Sequence, residues 1–134
     1  MILVDTSVLI DVLKGVENVK TDLFREILAS NMAYGISEYT YLEVLQGAKN
    51  DNEYSQLTNY LLDVSIYFLP KTLVSYEKAS LIYRHLRRQG ITPRSTIDIL
   101  IALTSIEFNL SLLHNDKDFD EMARIMPELI IYSK

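Results

Sequence analysis

The sequence predicts an α/β fold: a doubly wound domain whose central parallel sheet has four to five short strands flanked by helices. Two observations point to it. Short apolar runs such as Ile2-Leu3-Val4 and Ile66-Tyr67-Phe68-Leu69 alternate with longer stretches of helical spacing. Each short run is continuously apolar, the pattern of a strand covered on both faces, and right-handed crossovers then wind helices onto both sides of one sheet. A chain of 134 residues with 49% apolar and 23% charged residues fits one domain, residues 1–134, with ordinary globular composition.

In chain order, Ile2–Val4 is too short for a helix and reads as a buried strand. Beyond Asp5, residues Val8, Leu9, Val12 and Leu13 follow a helical period that stops at Gly15, and residues 19–29 form a second helix. Residues 33–37 are a brief strand, after which Tyr39, Leu42 and Leu45 repeat helically up to Gly47. Residues 51–63 are helical, with Tyr54, Leu57, Leu61 and Leu62 on one side, and residues 66–69 form a strand stopped by Pro70. A long amphipathic helix over residues 74–88 closes at Gly90. A loop around Pro93 leads to a very apolar helix over residues 97–108. A strand at 110–113, a helix at 117–125 and a last strand at 129–132, after Pro127, complete the chain.

Composition removes several function classes. With no cysteine there is no disulfide scaffold, zinc-thiolate site or thiol nucleophile, which suits a reducing, cytoplasmic setting. No basic region followed by an apolar stretch opens the chain, and no apolar run approaches membrane-spanning length, so no membrane association is expected. The charge is uneven. Arg84, Arg87, Arg88 and Arg94 lie in a segment without acids, and this local +4 leaves −9 for the rest once set against the total of −5. Such a stripe suits contact with a nucleic-acid backbone, or it is a solvated helix face.

Four acids stand at chemically useful places. Asp5 follows the first strand and Asp116 follows the strand at 110–113, so both project over the same rim of the sheet, where doubly wound proteins bind ligands. Asp98 lies in the first turn of the apolar helix, and Glu43 stands among Leu42, Val44 and Leu45. Each has a structural explanation. Asp5 and Asp116 are helix-capping types, Ser95-Thr96-Ile97-Asp98 fits a capping box, and Glu43 could be solvated. If they converge, the carboxylates repel one another until a cation neutralises them. An all-oxygen set favours a hard ion, Mg²⁺ or Mn²⁺, the usual apparatus for phosphate-ester chemistry.

Val4-Asp5-Thr6-Ser7, Glu43 in Tyr41-Leu42-Glu43-Val44, Ile97-Asp98-Ile99-Leu100-Ile101-Ala102 and Asn115-Asp116-Lys117-Asp118, in this order and spacing, resemble the PIN-domain ribonucleases. More closely, they are similar to the VapC-type toxins of prokaryotic toxin–antitoxin pairs, over essentially the whole chain. The resemblance implies a PIN-like doubly wound fold and a Mg²⁺-dependent endoribonuclease that leaves 3′-hydroxyl and 5′-phosphate ends. It implies that Asp5 and Asp98 are the principal metal ligands, completed or supported by Glu43 and Asp116. Asp118 and Asp120 read as outlying charges or as complements to a helix N-terminus. The family usually has Thr or Ser two residues before the fourth acid; here that residue is His114. Arg84, Arg87, Arg88 and Arg94 are the candidate RNA contacts. The resemblance also implies an RNA substrate, a homodimer and capture by an antitoxin. Leu45, Tyr54, Leu57, Tyr60 and Leu61 are the apolar surplus that assembly would use.

Two rivals remain from other classes. An Asp-dependent phosphoryl-transfer protein with Asp5 as nucleophile needs a second acid two residues later or an acidic pair before it, and Ser7 and Val4 stand there instead. A catalytically silent PIN-like binding module is expected to lack at least one acid, and none is missing. Metal dependence of RNA cleavage separates these readings.

Overall fold

In the computed structural model, which describes residues 1–133, five strands form one all-parallel sheet. They are β1 (Ile2–Val4), β2 (Tyr34–Ser37), β3 (Ser65–Tyr67), β4 (Ser111–Leu113) and β5 (Ile130–Ile131), in the order β3-β2-β1-β4-β5. Seven helices connect and flank them: α1 (Thr6–Leu13), α2 (Val19–Ala29), α3 (Glu38–Gln46), α4 (Asp51–Leu61), α5 (Leu73–Arg88), α6 (Thr96–Glu107) and α7 (Lys117–Ile125).

The pleat of the central strands divides two cores. Ile2 and Val4 point into one with Ile36, Leu113, Phe24 and Ile27, while Leu3 and Leu112 point into the other with Phe119, Met122 and Leu86. This alternation explains why both runs are apolar at every position. Helix α6 is buried continuously from Ile99 to Ser105, which accounts for its nearly unbroken apolar sequence. The chain builds outward from β1 through β2 to β3, then returns to the other side of β1 for β4. The carboxyl ends of β1 and β4 therefore flank the point where winding reverses, the place where such sheets bind ligands.

The strands are shorter than the apolar runs suggest. The run at 66–69 leaves the sheet after Tyr67, and the Leu69 N–H is taken by Glu38 Oε2 at 2.9 Å. Glu38 also pairs with Lys71, so a carboxylate on α3 replaces the ladder as partner for this segment. Leu110 belongs to the turn out of α6, with its N–H on the Ser105 carbonyl and its own carbonyl on the Ser105 hydroxyl. Helix α4 stops at Leu61, short of Asp63.

The apolar surplus of the middle helices is also redistributed. Leu45 and Leu61 are 8% and 3% exposed, packed in the core beneath β1 and β2, and are not available to a partner. Tyr54 and Tyr60 stay exposed. No helix among the described residues is long and apolar enough to cross a membrane.

Candidate active site

Asp5 leaves β1 with extended backbone and caps α1. Its N–H donates to the Leu113 carbonyl at 2.8 Å, tying the end of β1 to β4. One carboxylate oxygen, Oδ2, accepts from the Ser7 N–H at 3.1 Å and the Ser7 hydroxyl at 2.6 Å. The Ser7 oxygen accepts in turn from the Asn115 N–H at 2.9 Å, so one serine fixes Asp5 to the loop after β4. The other oxygen, Oδ1, is buried without a hydrogen-bond partner. Burial pushes the carboxyl of Asp5 above the usual range; the Ser7 bonds pull it back, and Glu43 raises it further.

Asp98 projects from the first turn of α6. Ser95 caps that helix by accepting from the Ile97 N–H at 3.1 Å. The carboxyl of Asp98 is pushed up to about 7, first by partial burial and then by the charges of Asp5, Asp116, Glu43 and Asp118. Asp116 caps α7 through Oδ1, which accepts from the Asp118 N–H at 3.0 Å. Carboxylate oxygens of Asp98, Asp116 and Asp118 lie within 4.8 Å of one another. Glu43 faces α1, where its Oε1 accepts from the Thr6 hydroxyl at 2.6 Å; Thr6 also lies 2.9 Å from the Thr40 hydroxyl.

Capping and clustering are therefore not alternatives. Asp5 and Asp116 each cap a helix with one oxygen and still take part in one electrostatically coupled pocket with Glu43 and Asp98. Asp118 and Asp120 are equivalent in the sequence, and the structure separates them. Asp118 joins the cluster, while Asp120 lies outside it, 66% exposed, with Oδ1 3.1 Å from His114 Nε2. The signal for Asp118 was its place two residues after a capping aspartate, where the helix turn swings it back over the cap.

His114 does part of what a hydroxyl would do in its place. It is buried, and Nδ1 accepts the Asp116 N–H at 3.1 Å, which holds the loop that presents Asp116. Burial holds its pKa below the ordinary value, more than Asp120 raises it. The arginines do not form one surface. Arg84, Arg87 and Arg88 are exposed near the end of α5, with Arg87 donating to the Tyr83 hydroxyl at 3.2 Å. Arg94, in the following loop, instead donates through Nη2 to Asp116 at 3.2 Å and through Nε to Asp118 at 2.8 Å.

The pocket fits a hard divalent cation. It offers only oxygen donors, one of them a buried carboxylate oxygen with no partner, and several like charges gathered around Asp98. Compared with known proteins, the chain matches the model of the PIN domain over residues 2–125. It belongs to the PIN-domain family. Among its relatives, Ribonuclease VapC11 of Mycobacterium tuberculosis is 33% identical over 129 residues, 93% of each chain. Ribonuclease VapC51 of the same species is 33% identical over 101 residues, 75% of this chain and 72% of that one. In fold, this PIN domain is similar to a chain of VapBC2 from Rickettsia felis, solved with a DNA fragment from the promoter. The TM-score is 0.76 at 23% identity, over 98% of both chains. A chain of VapBC-1 from nontypeable Haemophilus influenzae gives a TM-score of 0.72 at 21% identity, over 99% of this chain and 98% of that one. The PIN fold thus accounts for the sheet order, and the four acids singled out in the sequence lie close enough together to interact electrostatically.

Proposed function

We propose that this PIN domain is a metal-dependent endoribonuclease, the toxin of a toxin–antitoxin pair, hydrolysing RNA to 3′-hydroxyl and 5′-phosphate ends. The observation that carries it is the convergence of Asp5, Glu43, Asp98, Asp116 and Asp118 at the carboxyl ends of β1 and β4, with an orphaned buried oxygen on Asp5. Relatives at 33% identity that are named ribonucleases support the reaction class. Asp5, Asp98 and Asp116 would hold Mg²⁺ or Mn²⁺, with Glu43 and Asp118 completing the site. Such an ion lowers the pKa of a bound water and shields the charge that develops on the phosphate.

The chain's own residues supply the order this chemistry needs. Ser7 orients Asp5 and registers it against the loop after β4, Thr6 fixes Glu43, and His114 and the cap of α7 hold Asp116. Glu43, whose Oε1 is held by Thr6, would hold the attacking water in this reading. Labelled RNA incubated with Mg²⁺ should be cut, and excess EDTA should stop the cutting. Cleavage that persists in EDTA overturns this reading.

Arg84, Arg87 and Arg88 are the proposed backbone contacts. Replacing Arg84 and Arg88 by Gln should weaken RNA binding for all sequences. It should also flatten the log–log salt dependence by about 0.7 for each phosphate no longer neutralised. The positions of cleavage should not change, because phosphate contacts do not read bases. A salt slope equal to the parent's would make the patch a solvated helix face.

The solved relatives of this fold include toxin–antitoxin complexes, which supports an antitoxin as the protein partner. A homodimer is part of the same reading. Exposed Tyr54 and Tyr60, together with Leu73, Tyr76 and Leu81 on α5, are apolar surface for such contacts.

A further inference from the structure

Arg94 is separated from the other three arginines by a loop, and it alone reaches the acids. Its Nε donates to Asp118 Oδ2 at 2.8 Å and its Nη2 to Asp116 Oδ1 at 3.2 Å, so one guanidinium edge spans two carboxylates. Both residues contribute oxygens to the cluster within 4.8 Å that Asp98 completes. A Mg²⁺ ion binds carboxylate oxygens at about 2.0–2.1 Å. It would draw on the carboxylates of the same small cluster, and a guanidinium bridging two of them stands in its way.

The mounting of Arg94 lets it leave. It lies between α5 and α6, in a segment with Gly90 at φ 81° and Pro93, so its departure unwinds neither helix. Its side chain is 68% exposed, and exposed ion pairs are weak and salt-screened. A planar fork bridging two carboxylates is nevertheless well matched in geometry.

We propose that Arg94 is a displaceable internal counter-ion of the acidic pocket, competing with the divalent ion for Asp116 and Asp118. It holds the rim ordered before loading and sets the metal concentration at which the pocket fills. This rests on the metal-dependent reading above, and it concerns binding of the ion, separately from cleavage.

Calorimetric titration of the full chain with Mn²⁺ tests it. Arg94→Gln should bind Mn²⁺ more tightly by about 3- to 10-fold, the scale of losing one weak exposed competitor. Arg94→Lys keeps the charge but not the fork, and should fall between the parent and Arg94→Gln. Lys78→Gln removes a positive charge beside Glu107, about 13 Å along α6 from Asp98, and should bind as the parent does. In nitrogen-15 spectra, the Arg94 Nε–H resonance should shift as Mg²⁺ is added.

An Arg94→Gln affinity equal to or weaker than the parent's overturns the proposal. So does Arg94→Lys binding as tightly as the parent, since charge alone would then account for the effect. An Arg94 resonance indifferent to Mg²⁺ also overturns it. Failure of both the parent and Arg94→Gln to bind Mn²⁺ at all overturns this inference together with the metal-dependent reading, so the two failures are distinct.

Discussion

Asp98→Asn should abolish RNA cleavage, by about 10³-fold or more, while making the protein more stable in the absence of divalent ions. The first effect follows from losing a charge that would hold the ion, on the scale seen when one charge-stabilising contact of a transition state is removed. The second follows from partial burial of the Asp98 carboxyl and, after that, from repulsion by its acidic neighbours. The Asp98 carboxyl sits at about 7 in the fold against an ordinary 3.8. Between about pH 4 and pH 7 the folded protein therefore holds a proton that the unfolded chain has released, and stability falls as pH rises through that window. Asparagine does not titrate, so the variant should gain on the parent across the window and keep its advantage above pH 7. Water on the partly exposed side screens the effect to about 1–2 kcal/mol. Urea denaturation at pH 5 and pH 8 measures it, and Mg²⁺ should reverse the ranking by stabilising the parent alone. Equal stability at pH 8 would show that the Asp98 carboxylate is neither desolvated nor repelled as its surroundings require.

Gly35→Ala should produce a large loss of stability, about 2–4 kcal/mol. Gly35 lies in β2 opposite Ser65 of β3. A Cβ there would stand 2.5 Å from Cε2 of Tyr67 and 2.7 Å from the Ser65 carbonyl oxygen. The tyrosine ring can turn aside, but the carbonyl belongs to the ladder and moves only if β2 and β3 part. The damage should reach the pocket, because β2 ends at Ser37, which caps the helix carrying Thr40 and Glu43 by accepting from the Thr40 N–H at 3.0 Å. Denaturant unfolding with a loss under about 0.5 kcal/mol would contradict so close an approach.

Local pattern was enough to define most elements and four of the acids. Continuous apolar runs and helical spacing depend on neighbours within a few residues, so Val19–Ala29 and Lys117–Ile125 were legible to the residue. Asp5 and Asp116 were legible as neighbours on one rim because each follows a strand, and parallel strands deliver their ends to the same side. Strand lengths were less so, since the apolar run at 66–69 continues beyond the ladder and the run at 110–113 begins before it.

What the linear pattern left open depends on partners distant in the chain. Leu45 and Leu61 look like surplus surface until the sheet covers them. Gly35 looks like punctuation until Ser65 and Tyr67 close on it. Asp118 and Asp120 are equivalent on paper, yet one turn of α7 directs the first into the cluster and the second toward His114. Arg94 reads as the end of a basic stripe, but the loop after α5 carries it to two acids 22 and 24 residues away. Which residue types stand at element ends follows from local pattern, because caps and periods span only a few residues. Which charges meet follows from the assembled fold, because pairing depends on distances that sheet order and loop path set.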